Sequence, residues 1–437
     1  MSPVAEEKDV FRASFDRFAA ALSPADPPWL RSLRTGAMAR FTERGFPSTR
    51  DEAWRHTSVA PLARTIFRTA EPALDTNRIE AALSGLRLPG AGGNEIVFVN
   101  GRLAPMFSRV AGDVEVMGLR RALDRLESHL GRVQGEAGPL ALLNTAFIDD
   151  GACIWIPEGR HVDGVVHVIY LSTNPAGAPI VSHPRTVVVA KSGSQAQIVE
   201  SYGGANGEVY WANAVTEIAI EDGAVLDHVT LQQQGLAAFH TATTAARLGR
   251  DARFSTHAVT LGASLSRHDV TATFAAPGGD CVMNGLFVGS GTQHMDTHTR
   301  VDHAQPHTGS RELYKGILDG RSRGVFDGRI VVRKDAQKTD AQQTNKNLLL
   351  SKEALVHSTP ALEILADDVK CKHGSTTGQL DPTAVFYLRS RGIGEAEARA
   401  LLTFAFASDV IQKVPVTAIR ERLTERLQSQ LGKEARA

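Results

Sequence analysis

Small or acidic turn residues recur along the middle of this chain at a nearly fixed interval. Marks at Gly193, Gly223, Asp251 and Gly279 stand 30, 28 and 28 residues apart, and each precedes an alternating apolar run: AKSGSQAQIVE, IEDGAVLDHVT, GRDARFSTHAV and APGGDCVMNGL. Repetition at such an interval is the mark of a solenoid, in which each coil buries its apolar side only by stacking on its neighbours. The unit holds strands and turns with no helical pattern between them, which favours a parallel β-helix over βαβ folds. A β-sandwich whose turns happen to fall at this spacing is the competing arrangement. With 437 residues the chain is too long for one ordinary compact domain, and stacking accommodates that length.

Helical patterns flank the repeat. At the N-terminal side Val10, Phe11, Phe15, Phe18 and Leu22 recur at helical spacing, and a proline-led second pattern covers Pro28–Arg44. FPSTRDEAWRHT then mixes turn, cap and aromatic residues, with Trp54 expected to pack. From Asn94, EIVFVNGRL reads as a hairpin turning at Asn100-Gly101. A helical insertion is expected near 118–147, with Leu119, Leu123, Leu126 and Leu130 on one face. Past the repeat, Asp381 caps a helix that opens on Pro382 and stops at Gly392, and two more helices fit 395–413 and 415–431. The charged run RERLTERLQSQ suggests a solvated face on a tail that protects the solenoid's open end. The reading is mainly β: an N-terminal helical domain over 1–92, a β-helix core over 93–380 and a C-terminal helical domain over 381–437.

Charge and cysteine content narrow the function. The 48 basic side chains equal the 48 acidic ones, which leaves no footprint for nucleic acid or an anionic membrane. No run approaches the ~20 apolar residues that cross a bilayer, and MSPVAEEKDVFRASF is not signal-like, so a cytoplasmic protein is expected. Cys153, Cys281 and Cys371 are too few and too scattered for a disulfide framework. The chain has no phosphate loop, dinucleotide fingerprint, nucleophile elbow or HExxH, and it is expected not to be an enzyme. A solenoid enzyme with carboxylates along one face and a purely structural oligomerisation module are the competing classes.

Cys371 and His373 bring sulfur and nitrogen together. If residues 361–373 form a strand, the two side chains project from one face and could serve one metal or iron-sulfur site. Two ligands do not close such a site, and a buried thiol beside a surface histidine is the plain alternative. His294, His298, His303 and His307, with Asp296 and Asp302, form a second cluster. No cysteine or glutamate joins it, and hydrogen-bonded histidines along coil faces fit it better than a metal site.

Long blocks over 310–406 resemble the SufB/SufD family of iron-sulfur cluster scaffolds: SRELYKGILDG, GVFDGRIVVRKDAQKTDAQQTNKNLLLS, PALEILADDVKCKHGSTTGQLD and FYLRSRGIGEAEARALLTFAF. FPSTRDEAWRHT and LLNTAFIDDGACIWIPEG extend the likeness to most of the chain. SufB-like chains are longer and carry a cysteine-rich motif toward the N-terminal side, whereas no cysteine precedes Cys153 here, so the resemblance is to the SufD branch. It implies a right-handed parallel β-helix between helical domains and a scaffold that pairs with SufB and binds the ATPase SufC through its C-terminal helices. It further implies that His373 lies at the subunit interface, where it joins a SufB cysteine in holding a transient iron-sulfur cluster, with Cys371 as a weaker candidate. Tyr387, Arg389 and Arg391 are the candidate SufC contacts, or else part of an ordinary solvated helix face. An exposed terminal strand also makes a homodimer plausible for the isolated chain.

Overall fold

Each coil of a solenoid needs corners, and one corner repeats a left-handed residue. Gly193, Gly223 and Asp251 have φ of +66°, +68° and +54°. In the next coil Gly278, not Gly279, holds this position at +82°, and the series runs on through His307 at +57° and Lys338 at +62°. Each donates its N–H to a carbonyl one coil further on, from Gly193 to Asp222 (2.9 Å) through to Lys338 to Asp368 (2.7 Å). The sequence marks stop at glycine and aspartate; the corner does not. Where coil-to-coil hydrogen bonds fix the turn, even histidine and lysine take a conformation that costs them roughly 1–2 kcal/mol.

The structure, a computed structural model, describes residues 3–71, 75–90, 93–111, 114–133, 137–174 and 177–434. Residues 91 and 92, where the expected N-terminal domain ends, lie outside the described residues. Strands alternate between two sheets, with eight consecutive parallel strands in each from Ala152–Ile156 and His161–Ser172 onward. Every pairing along these stacks is parallel, for example Val225 with Gln195 and Arg253, and the register shifts only at the start of the second stack, between His161 and Val165. This is a β-solenoid, and the sandwich is excluded. Its lumen is filled by Val168, Ile198, Leu226, Phe254 and Met283, among others, with Phe98, Tyr170 and Tyr202 stacked at 5.1 and 5.2 Å between centroids. The hairpin at its start forms as expected, Phe98 opposite Leu103 and Val99 opposite Arg102, with Asn100 and Gly101 both at positive φ.

Three expectations change. The insertion is not one helix: a short 3-10 turn over Leu119–Arg121, a single α turn over Leu123–Leu126 and a proline-started helix over Pro139–Ala146 replace it, although Leu119, Leu126 and Leu130 are buried as expected. Residues 361–373 are two strands, because Leu355–Ile364 ends the first sheet and Lys370–Gly378 ends the second.

The third change concerns the tail. Helices Glu395–Ile411 and Thr417–Glu434 lie along the second sheet, where Val410, Ile411, Ile419, Leu423 and Leu427 join Val199, Val229, Val259, Leu286, Ile317 and Leu348 in one apolar cluster. Arg422 donates to the carbonyls of Leu86 and Arg87, both at 3.0 Å, so the tail reaches back to the N-terminal end. RERLTERLQSQ therefore has one buried stripe, and the helices cover the side of the solenoid while its end stays open. On the first sheet the N-terminal segment does the equivalent: Phe11, Phe15, Phe41, Phe46 and Trp54 pack against Trp211, Val215 and Leu265.

Candidate functional site

The open end is made by the last strand of each sheet, and neither Leu355–Ile364 nor Lys370–Gly378 holds a buried residue. Lys370–Gly378 pairs on one side only, with Asp340–Leu349, in the register Ala341 to Cys371, Gln343 to His373 and Asn345 to Ser375. Ala341, Gln343 and Asn345 are buried in the lumen. Alternation then puts Cys371, His373 and Ser375 on the inward row and Lys370 and Lys372 on the other face. No further coil covers that row, so His373 is exposed and Cys371 half-buried.

Cys371 and His373 thus share a face at the mouth of the solenoid. Cys371 packs beside Leu362 and the cluster of Ile330, Ala341 and Ala366. Burial pushes its thiol pKa up, against the pull of the Ala341 backbone. Neither ring nitrogen of His373 has a hydrogen-bond partner among the described residues. Cys153 and Cys281 are buried far down the coils, with thiol pKa values pushed up by burial, Cys153 to about 11.

The lumen behind this pair is polar. One inward row runs Met283, Glu312, Gln343, His373 from strand to strand, and the next runs Gly285, Tyr314, Asn345, Ser375. Glu312 accepts a 2.7 Å hydrogen bond from Thr299, while its other oxygen, both polar atoms of the Gln343 amide and the Tyr314 hydroxyl are buried without a partner. Desolvation raises the Glu312 pKa to about 7, although Thr299 and the nearby Gln343 amide pull it down. Deeper in, Glu200 has its needs met by Thr216 at 2.9 Å and His228 at 3.1 Å. Neither Glu312 nor Gln343 was singled out from sequence. The signal was available, because stepping back one coil at a time from His373 lands on each.

The histidine cluster disperses. His294 and His298 face the N-terminal segment, His294 on Thr57 at 2.8 Å and His298 on Asp296 at 2.9 Å. Burial opposes charge on His298, but Asp296 overcomes it and raises the pKa. His303 points into the lumen between Thr308 and Ser310, at 2.7 and 2.9 Å, and His307 is the left-handed corner. Among the described residues no three metal-ligating side chains gather on one point.

On the helix Pro382–Ser390, Asp381 caps Thr383 N–H at 2.8 Å as expected. Tyr387 is 57% exposed, with Arg391 donating to its hydroxyl at 3.0 Å, and Arg389 pairs with Glu395 at 3.2 Å. The neighbour missed from sequence is Phe386, 70% exposed beside a cleft of about 410 Å³ lined by Leu350, Leu380 and Arg399.

Comparison with known proteins decides the family. Residues 171–406 match the family described as the SufBD core domain of SUF system FeS cluster assembly, and residues 5–168 match the SufBD protein N-terminal region. The chain belongs to the SufBD family. An iron-sulfur cluster assembly SufBD family protein of Synechocystis is 33% identical over 423 residues, 93% of this chain and 92% of its own length. The iron-sulfur cluster assembly protein SufD of Escherichia coli is 28% identical over 91% of this chain and 92% of its own, and that of Bacillus subtilis 23% identical over 91% and 93%. The SufBD core match takes in the whole open end and the Pro382–Ser390 helix. Among the described residues no helix is long and apolar enough to cross a membrane.

Proposed function

We propose that this SufBD chain is a non-catalytic scaffold for iron-sulfur cluster assembly in the cytoplasm. It pairs through its open terminal coil with a SufB-like subunit, and it binds a SufC-like ATPase through the helix Pro382–Ser390. His373, with Cys371 beside it, is its contribution to a cluster that grows between the two subunits and leaves as cargo. ATP-driven closure of two such motors would pull on the helical parts and reshape the interface.

One observation carries the reading. The inward row of the last strand presents an imidazole and a thiol at a mouth that no element among the described residues covers. Imidazole and thiolate suit iron-sulfur species, and two ligands are half a tetrahedral site, so a second chain must supply the rest. The unpaired backbone edges of the last strands are where such a chain would add its own strands, and a second copy of this one could occupy them when the partner is absent. The test is cluster formation in a complex reconstituted from this chain and its SufB-like and SufC-like partners. His373→Ala is expected to lower the yield at least tenfold while the complex still assembles; normal cluster yield would remove the ligand role.

A further inference from the structure

The geometry points to Gln343 as a positioning residue for His373: its amide links the Glu312 carboxylate to the imidazole and fixes which ring nitrogen faces the open end. This rests on the reading of His373 as a ligand and deepens it.

The argument is a count of unmet hydrogen bonds. Glu312, Gln343 and His373 occupy one inward row in consecutive strands of one sheet. In-register side chains of neighbouring strands stand about 4.8 Å apart along such a row. Gln343 is 1% exposed, and both its amide nitrogen and its amide oxygen lack partners. So does one oxygen of Glu312, 3% exposed. His373 is exposed, and neither of its ring nitrogens bonds another side chain or backbone group among the described residues.

Across the lumen from Gln343 stands Gly328, where any side chain would collide with the amide, its Cδ being 2.7 Å from the position a Cβ would take. The amide therefore reaches across the lumen to the facing wall, one strand beyond Glu312 and one strand short of His373. Cys371 and Ser375 flank His373 on the same row, but they stand over Ala341 and Asn345, not over the amide.

One arrangement joins Glu312, Gln343 and His373 in a chain, with the neighbouring Tyr314 hydroxyl as a further donor. Gln343 donates from its amide nitrogen to the free oxygen of Glu312 and accepts at its amide oxygen from an N–H of His373. Above about pH 7, where Glu312 is ionised, oxygen and nitrogen of the amide cannot exchange roles, because an ionised carboxylate only accepts. The proton on the imidazole is thus held on the nitrogen facing Gln343. The other nitrogen keeps its lone pair and points to the mouth, which is the form that binds a metal. Metal-binding histidines commonly have their second nitrogen held by a carboxylate or carbonyl in this way.

The test reads the ring itself, with no metal and no partner. The full chain is labelled with ¹⁵N-histidine, His373 is assigned by its loss in His373→Asn, and long-range proton–nitrogen correlations are recorded at about pH 8, where Glu312 is ionised. One protonated and one bare nitrogen are expected for His373, with the signature of a single tautomer. Gln343→Leu is expected to collapse this to the averaged pattern of a free imidazole. Averaged nitrogens in the unsubstituted protein, or an unchanged single tautomer in Gln343→Leu, would overturn the proposal. Should Gln343→Leu fail to fold, Glu312→Gln replaces it: with the carboxylate gone the amide is free to turn over, and the single-tautomer signature should again be lost. A locked tautomer together with normal cluster yield in His373→Ala would leave the positioning intact and remove the ligand reading. The opposite pair of results would do the reverse.

Discussion

The guanidinium of Arg267 lies 3.7 Å above the ring of Trp54, and its nitrogens bond the Ala53 carbonyl at 2.7 Å and Asp296 at 2.8 Å. Thr57 completes the clamp with a 2.6 Å hydrogen bond to the same carboxylate. A segment more than two hundred residues away in sequence is thereby pinned to the first sheet. Burial alone would raise the Asp296 pKa; Arg267, His298 and Thr57 reverse that and hold it well below the usual carboxylate range.

Arg267→Ala leaves Asp296 buried beside a half-filled clamp, and a loss of about 3–5 kcal/mol is expected. Trp54→Ala should cost a similar amount by opening a cavity in the same place. Combined in one protein, the two substitutions should fall short of the sum by about 1–2 kcal/mol, the share belonging to the cation and ring together. Chemical denaturation of the four proteins measures this, and strict additivity would mean that the stacking contributes nothing.

Glu312 makes stability depend on pH. Its folded pKa, about 7, is above that of an unfolded glutamate. Below about pH 4.3 both states hold the proton and nothing is lost. Between there and about 7 the unfolded chain ionises while the folded chain keeps its proton, so stability falls as pH rises, and above 7 the loss is complete. Its full size is roughly 3 kcal/mol. Glu312→Gln removes the titration, so the variant should gain on the parent protein between about pH 5 and about pH 8. Urea unfolding across that range reads the difference, and parallel profiles would contradict it.

Phe386 and Tyr387 are the largest uncovered side chains on the helix proposed to meet the ATPase. Phe386→Ser removes no buried contact, so thermal unfolding should move little. Binding to a SufC-like protein, read by calorimetry, is expected to weaken about tenfold or more, as for an aromatic anchor at an interface centre. Arg391→Ala should do less, since that guanidinium is already engaged by Tyr387. Equal affinity for the parent and Phe386→Ser would move the contact elsewhere.

Much of the fold could be read from local pattern because a solenoid repeats its solution. Turn residues spaced by one coil, the Asn100-Gly101 hairpin and the Asp381-Pro382 cap each depend on a few neighbouring residues, and each formed. Corners occupied by His307 and Lys338 escaped, since nothing local favours a left-handed conformation there and only bonds to the next coil hold it. The stripe of Ile419, Leu423 and Leu427 was hidden by its charged neighbours, and what it packs on is a sheet more than a hundred residues earlier.

The sequence alone determined that Cys371 and His373 would share a face, because alternation along a strand is a property of the backbone. It also determined that this face holds one thiol and one imidazole. Tertiary structure decided the rest. Stacking set the register that puts Gln343 and Glu312 behind His373, and the route of the C-terminal helices along the second sheet left the last coil bare. Both depend on which surfaces meet across the folded chain, and the hydrogen-bonding and apolar groups concerned come together only when the coils are stacked.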